Sequence, residues 1–520
     1  MSAVARTRCV ALLGVEGRLV DVEVFVANGV PGCTIVGLPD TTLHEARDRV
    51  RAALLNSGEA WPNRRTLINL SPADLPKRGS HFDLCIAVAL VAAAEGLPTG
   101  WSDGLLLLGE LGLDGRVRPV PGVLPAVLAA VRSGVDRVVV PEGNAAEACL
   151  VPDVAVVGVR SLRQALALLR GDPVPDEPPE PPPPEAGAVP DGSAGGEPAH
   201  PDLGDVLGQP RARLAVEVAA AGHHHVSLVG PPGAGKTMLA ERVPGLLPDL
   251  APDEALEVTA LHSVAGLLRP DQPMVVRPPY ADPHHSASLA AVVGGGSGIA
   301  RPGAVSAAHR GVLFLDEAPQ FATSVLNALR EPLEKGEVLI ARSRRAIRFP
   351  ARFLLVMASN PCPCGAHGQR GAVCGCTPDA VRRYAQRISG PVRDRVDLWV
   401  DLGPATRADL LGELGHVETT AVVAARVADA RERQRHRYAG LPWRCNGEVP
   451  GAELRRRFPL RRAELRPVDE ALRRGVLTAR GADRCLRLAW TLADLDGAAA
   501  PRGEHVELAV AHRTGGSVAR

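Results

Sequence analysis

The chain has 520 residues, 46% hydrophobic and 22% charged, with a formal net charge of +1. That length exceeds one core and predicts about two to four domains, while no apolar run reaches the ~18–20 residues of a membrane span. The balance is that of a soluble globular protein, and a cytoplasmic location is expected because Glu16 soon follows the N-terminal apolar run and no cleavage site is evident.

Residues 1–170 alternate short β-branched runs ("LVDVEVFVA", "CTIVGL", "RTLINLS", "DRVVVP", "VAVVGV") with alanine-rich helical stretches such as "DLCIAVALVAAAEG". This pattern predicts an α/β domain. Residues 171–202 then hold eleven prolines and no lysine or arginine, a composition that cannot build a core and reads as a semi-rigid or disordered linker. Strand–loop–helix units recur over 203–400, and 401–520 is helical with clustered arginines.

In "HVSLVGPPGAGKTMLAERV" a buried strand, Val226–Val229, runs into a glycine-rich turn and a helix opening near Lys236. The turn Gly230, Pro231, Pro232, Gly233, Ala234, Gly235, Lys236, Thr237 fits GxxxxGK[ST]. Its backbone N–H groups and the helix N-terminus suit phosphate oxygens, Lys236 the β- and γ-phosphates, and Thr237 a Mg²⁺ ion, so ATP and Mg²⁺ are the expected ligands. Only three of the 59 basic residues are lysine, and Lys236 stands where arginine would be too bulky.

"GVLFLDEAPQF" reads as a central parallel strand ending in Asp316 and Glu317. Asp316 would bind Mg²⁺ and Glu317 would polarise the attacking water. "GEVLIARSRRAIRFPARFLLVMASN" reads as a hairpin leading into a buried strand that ends at Asn360, where a γ-phosphate could be sensed. No acidic residue occurs from Val338 to Pro378, and Arg342, Arg344, Arg345, Arg348 and Arg352 fall inside that stretch. Unneutralised guanidiniums there suit a phosphate backbone without base specificity, so DNA is the expected partner. Residues 426–474 add fourteen arginines against seven acids, a second basic region or simply a solvated face.

Directly after Asn360, Cys362, Cys364, Cys374 and Cys376 form two CxC pairs. Three readings stand: four thiolates around a structural Zn²⁺, reduced thiols in an ordered loop, or redox control. His367 is a substitute ligand of lower rank. The other six cysteines are scattered in apolar surroundings and read as small buried hydrophobes. The run His223–His225 leads into a buried strand and reads as structural.

Together with "RPPYADPHHSASLAAVVGGG", "NPCPCG", "RISGPVRDRVD" and "ARGADR", these motifs resemble the magnesium-chelatase-like AAA+ ATPases of the ComM/YifB family over nearly the whole chain. The resemblance implies a P-loop AAA+ domain with a parallel sheet, a C-terminal helical lid and a homo-oligomeric, hexameric ring. It implies that Arg395 reaches the neighbouring subunit's nucleotide, with Arg393 the lesser candidate, and that Arg480 contacts a γ-phosphate in the same subunit or beside it. The arginine hairpin would project into the pore. Residues 10–170 are similar to the proteolytic domain of Lon-type proteases, a ribosomal S5-type α/β fold. Where that domain has its serine this chain has His81, and where it has its lysine there are apolar residues between Val123 and Val127. Ser80 and Lys77 do not reproduce the dyad, so a non-catalytic front domain is expected.

The expected function is an ATP-driven ring motor acting on DNA, a branch-migration helicase in recombination or transformation. The alternatives are a chelatase-type motor driving Mg²⁺ insertion into a tetrapyrrole, which normally lacks a Lon-like front, and an ATP-gated assembly switch.

Overall fold

The computed structural model describes residues 3–37, 41–77, 79–95, 100–178, 201–269, 271–296, 300–341, 346–367, 373–403 and 417–515, without the side chains of 41–44. In the front domain Ala3–Leu13 and Glu16–Ala27 form an antiparallel hairpin, Arg65–Ser71 pairs with the second strand, and Gly32–Val36 joins it in parallel. Val20, Val22, Val24 and Val26 point into the core while Asp21, Glu23 and Phe25 take the other face, as a period of two requires. The helix Asp83–Glu95 is buried at every position from Asp83 to Ala93, which is why it reads apolar all round. A second, parallel sheet of Leu105–Leu107, Arg137–Pro141 and Ala155–Val159 completes the domain.

Two of these strands were not legible as strands. Ala3–Leu13 reads only as an apolar run, and Leu105–Leu107 is three leucines long; pairing, not local pattern, makes them strands. The front domain also runs past Arg170, because Gln164 donates to the Pro175 carbonyl at 3.0 Å and Arg163 pairs with Glu177 at 3.0 Å. Most of the proline-rich linker lies outside the described residues.

The second domain is built on five parallel strands in the order Tyr280–Ala281, Val312–Leu315, Leu354–Ser359, Val226–Val229 and Leu398–Asp401. The middle strands are almost wholly buried and, apart from Ser227 and Ser359, apolar, because helices cover both faces of such a sheet. All five share one carboxyl edge, where open α/β sheets bind ligands. Val229 stands opposite Ser359 and Leu315 opposite Met357, so the register alone sets Gly230 beside Asn360 and Glu317 near both.

The C-terminal helices pack behind the sheet. Gln434 and Arg431 donate to the last carbonyls of the helix Pro210–Gly222, at 3.0 and 2.6 Å. Arg484 pairs with the buried Asp397, which also accepts the His225 backbone N–H at 2.9 Å. Much of the arginine cluster at 426–474 is spent in this way: Arg426 on Glu217, Arg437 on Asp494, Arg444 on Asp253 and Glu254, Arg455 on Asp483. These four guanidiniums are neutralised by carboxylates outside the run.

Among the described residues, the front and second domains touch around Ser263 and around Val15. Ser263 donates its hydroxyl to buried Glu147 at 2.6 Å, and its carbonyl accepts the Gly122 N–H at 3.0 Å. Val15, in the first turn of the chain, packs with Ile347 against a small core of Leu261, Ala300 and Phe349. Among the described residues no helix is long and apolar enough to cross a membrane.

Candidate functional site: a phosphate cleft and an arginine cleft

A cleft of about 330 Å³ opens at the carboxyl edge of the sheet between the phosphate loop, Asp316, Glu317 and Asn360. Gly233 and Gly235 take φ of +77° and +86°, the left-handed region that lets successive N–H groups turn inward and that L side chains resist. Lys236 Nζ donates to the Gly230 and Pro231 carbonyls at 2.8 and 2.9 Å and to Asn360 Oδ1 at 3.1 Å. Burial draws its pKa below the usual lysine value, against the pull of Asp316 and Glu317. The ammonium thus sits in the cradle, held by oxygens that phosphate oxygens can replace.

Thr237 Oγ1 donates to Asp316 Oδ2 at 3.1 Å, and Asp316 Oδ1 accepts the Glu317 N–H at 2.8 Å. A hydroxyl and a carboxylate in contact at the mouth of a phosphate loop are the donor set a Mg²⁺ ion takes, with phosphate oxygens and water completing it. Glu317 holds φ at +48°, a cost of about 1–3 kcal/mol for a non-glycine residue, and this turn aims its carboxylate into the cleft.

Arg395 and Arg480 do not line this cleft. Both line a second one of about 660 Å³, together with Arg352, Glu334 and Asp397. Arg395 is paired with Glu334, and Arg480 lies close enough to add to the field that holds the Glu334 carboxyl below its usual range. Arg393 instead stacks over Trp399 at 4.8 Å. Of the two "RDR" arginines, only Arg395 faces the cleft. Arg352 belongs to this cleft and not to the hairpin, a placement the arginine spacing did not reveal.

The hairpin is present: Glu337–Ala341 pairs antiparallel with Ala346–Pro350. Arg348 is 69% exposed and pairs with Glu337 at 3.0 Å, a surface contact worth about 0.2–1 kcal/mol and readily exchanged for a phosphate. Arg342, Arg344 and Arg345 lie outside the described residues.

The four cysteine sulfurs of Cys362, Cys364, Cys374 and Cys376 lie within 4.8 Å of one another, and three of their separations are 3.4, 3.7 and 3.8 Å. Tetrahedral zinc with Zn–S bonds of about 2.3 Å needs sulfurs roughly 3.8 Å apart; the set fits. The Ala366 N–H and the neighbouring thiols draw Cys364 down to about 6. The His367 backbone N–H donates to Cys362 Sγ at 3.3 Å, while its ring is not in the cluster. Gly365 lies so close to Pro232 that a Cβ would stand 2.6 Å from its ring. The cysteine loop therefore braces the phosphate loop.

In the front domain, Ser80 Oγ donates to Glu110, Lys77 Nζ to the Pro72 carbonyl, and His81 Nε2 meets the Val10 carbonyl at 2.9 Å. Ser80 and Lys77 have turned to separate partners.

Comparison with known proteins agrees with this anatomy. The families described as Magnesium chelatase, subunit ChlI, as Subunit ChlI of Mg-chelatase, and as Magnesium chelatase, subunit ChlI C-terminal, match residues 202–410, 22–144 and 417–513. An uncharacterized protein of Mycobacterium tuberculosis is 50% identical over 515 residues, 99% of each chain. YifB of Escherichia coli is 41% identical over 97% of this chain and 96% of its own. The competence protein ComM of Haemophilus influenzae is 40% identical over 94% and 93%. A stretch of 146 residues is 30% identical to Lon protease of Rhizobium meliloti, covering 27% of this chain and 18% of that one. Motifs, sheet order and full-length likeness converge: the chain belongs to the magnesium-chelatase-like AAA+ family that includes YifB and ComM, with a Lon-protease-like domain at its front.

Proposed function

We propose that this protein is an ATP-hydrolysing ring motor that acts on DNA, and within that class a branch-migration helicase of recombination or transformation, working in the cytoplasm. The observation that carries the reading is the division of the hydrolytic groups between two clefts of one chain. The phosphate loop, Asp316, Glu317 and Asn360 bind ATP and activate water; Arg395 and Arg480 sit in a different cleft, where a neighbouring subunit's γ-phosphate can meet them. Such a site is completed only by assembly, and a closed ring of six subunits completes every copy.

In each cleft the loop N–H groups and Lys236 bind the phosphates, Glu317 draws the proton of the attacking water, and Asn360 orients that water. The neighbour's guanidiniums neutralise charge spreading over the transferred phosphoryl group. Mg²⁺ held by Thr237 and Asp316 would supply further charge neutralisation. Zn²⁺ held by the four cysteines would keep Gly365 against Pro232, stiffening the loop. The front domain serves as a scaffold without proteolytic chemistry.

The arginine hairpin gives the motor its substrate. Its strands connect the strand before Asp316 to the one before Asn360, and past Glu337 no acid occurs before Asp379, so the hairpin is joined directly to both strands that carry the nucleotide-facing groups. The ComM relative is named for competence, which fits a DNA substrate. A chelatase motor is the second reading, favoured by the ChlI descriptions. Steady-state ATPase with and without forked, duplex and single-stranded DNA separates them. DNA stimulation that weakens with salt, with a log–log binding slope of about −0.9 per phosphate contact on duplex, is expected. ATPase indifferent to every DNA would overturn the DNA motor.

A further inference from the structure

The arginine hairpin is a ribbon of only two strands, and such a ribbon is marginally stable in water unless its apolar side is covered. Its pairing sets Val338 opposite Phe349, Leu339 opposite Arg348 and Ile340 opposite Ile347. With a period of two, Val338, Ile340, Ile347 and Phe349 take one face, and Leu339 and Arg348 the other. The first face is covered: Val338 and Phe349 are buried, Ile340 and Ile347 half-buried. The second is open to solvent at both Leu339 and Arg348.

Part of that cover comes from the front domain. Gly14 and Val15 form the two-residue turn between Ala3–Leu13 and Glu16–Ala27, where Leu13 pairs with Glu16. The tip of a hairpin normally lies in solvent, yet Gly14 is buried and Val15 half-buried. Both lie against the ribbon. Val15 packs in the small core around Phe349 with Ile340 and Ile347, and a Cβ on Gly14 would stand 2.9 Å from Ile347 Cγ2 and 3.0 Å from the Arg348 carbonyl oxygen. Gly14 also takes φ of +68°, so a left-handed turn and a close approach coincide there, and both favour glycine. Further cover comes from the helix Pro252–Ala265, which grips the front domain as well. Its Leu256 and Ala260 pack into the front core, while Leu261 and Val264 pack on the ribbon. At its other side Glu257 pairs with His309 at 3.0 Å and Arg310 at 3.4 Å, just before the Val312–Leu315 strand.

We propose that the front domain is the clamp of the arginine hairpin, with Gly14 and Val15 as positioning residues that hold the ribbon's covered face so that its open face meets DNA in one fixed pose. A ribbon already ordered loses less conformational freedom on binding, so the clamp raises DNA affinity without touching DNA. The front domain, which has lost the protease dyad, thereby keeps a task in the motor. The effect on DNA rests on the DNA reading of the hairpin, and hydrogen exchange without DNA tests the clamp apart from that reading.

The test uses the full chain with Val15→Ser, Gly14→Asn and Val15→Ile. Val15→Ser withdraws the apolar contact. Asparagine tolerates the left-handed turn, but its Cβ pushes the tip off the ribbon. Val15→Ile keeps the contact. Hydrogen exchange over Glu337–Ala341 and Ala346–Pro350 should quicken several-fold in Val15→Ser and Gly14→Asn and keep the wild-type rate in Val15→Ile, while the front helix Asp83–Glu95 and the Val226–Val229 strand stay as they are. Affinity for forked DNA should fall several-fold in the first two variants with the log–log salt slope kept, because no phosphate contact is removed, whereas Arg348→Ala should flatten that slope by about one. The DNA-free kcat and KM for ATP should change little in all three clamp variants, since neither residue touches the phosphate cleft. Hairpin exchange unchanged in both Val15→Ser and Gly14→Asn overturns the clamp. Quickening that spreads to Asp83–Glu95 in both would mean a loosened front domain and overturn the positioning role of these two residues. Quickened hairpin exchange with undiminished affinity for forked DNA keeps the clamp and overturns its part in DNA binding. A wild type that binds no DNA, with hairpin exchange still quickened in the variants, keeps the clamp and counts against the DNA motor instead.

Discussion

The front domain and the ATPase domain meet the same physical demand in different ways. Both bury a helix against a sheet, and both have kept their cores: Val20, Val22, Val24 and Leu84 to Leu90 in one, Val226, Val356 and Leu398 in the other. Beyond their different sheet topologies, they differ in where a handful of polar side chains are sent. In the front domain Ser80, Lys77 and His81 are each satisfied by a separate neighbour. In the ATPase domain Lys236, Thr237, Asp316, Glu317 and Asn360 converge on one cleft. A fold is held by many apolar contacts and survives the loss of any few polar groups, whereas chemistry needs three or four of those groups within hydrogen-bond reach of one another.

The contrast can be broken hardest at Arg395. Arg395→Ala should lower kcat by about 10³-fold, the scale of an arginine supplied to a phosphoryl transition state. Mixing Arg395→Ala with Lys236→Ala subunits should recover hydrolysis at mixed interfaces, and the same holds for Arg480→Ala. No recovery in mixed rings verified by mass would mean that the arginine cleft serves its own subunit. Glu317→Gln should retain ATP binding and lose about 10²-fold or more in turnover, whereas Ser80→Ala in the front domain should leave every rate, and the absence of casein cleavage, as they are. ATP-dependent proteolysis abolished by Ser80→Ala would end the contrast.

A smaller effect is expected at the brace. Metal analysis of chelator-free protein should find about one zinc per subunit, and Cys374→Ser with Cys376→Ser should remove it. The double variant should also bind ATP about tenfold more weakly, the lower end of what lost metal support costs a site, since Gly365 would no longer be held on Pro232. Metal-free wild type with four reactive thiols would leave the reduced-loop reading.

The comparison is also sharpened by pH. Burial pushes Asp83 in the front domain up to about 6 despite its pairing with Arg49, and burial draws His224 in the ATPase domain down to about 3. A carboxyl raised from about 4 favours the folded state at low pH, and that stability fades as pH rises through about 6. A histidine lowered from about 6.5 favours the folded state at high pH, and that stability fades as pH falls below about 6.5. Each slope is about 1.4 kcal/mol per pH unit over its window. Hydrogen exchange read separately in the two domains between pH 4 and 7 should show opposite trends, flattened by Asp83→Asn and His224→Gln respectively. Parallel trends in both domains would remove these two groups as the cause.

What the sequence determined by itself is what local chemistry dictates. A glycine run before Lys236 must curl, four apolar residues before Asp316 must be buried, and two CxC pairs around glycines can fold onto one another; each follows from residue type and spacing over a few positions. What only the tertiary structure decided depends on partners distant in the chain. Ala3–Leu13 is a strand because Glu16–Ala27 pairs with it, Arg352 leaves the hairpin for the arginine cleft, and within the basic run at 426–474 Arg426 and Arg444 are neutralised by carboxylates as far away as Glu217 and Asp253. Arg395 and Arg480, 85 positions apart, share a cleft from which the phosphate loop is absent. Charge and hydrogen-bond satisfaction are properties of the packed surroundings, and surroundings assembled from distant segments leave no mark on the spacing of the residues they neutralise.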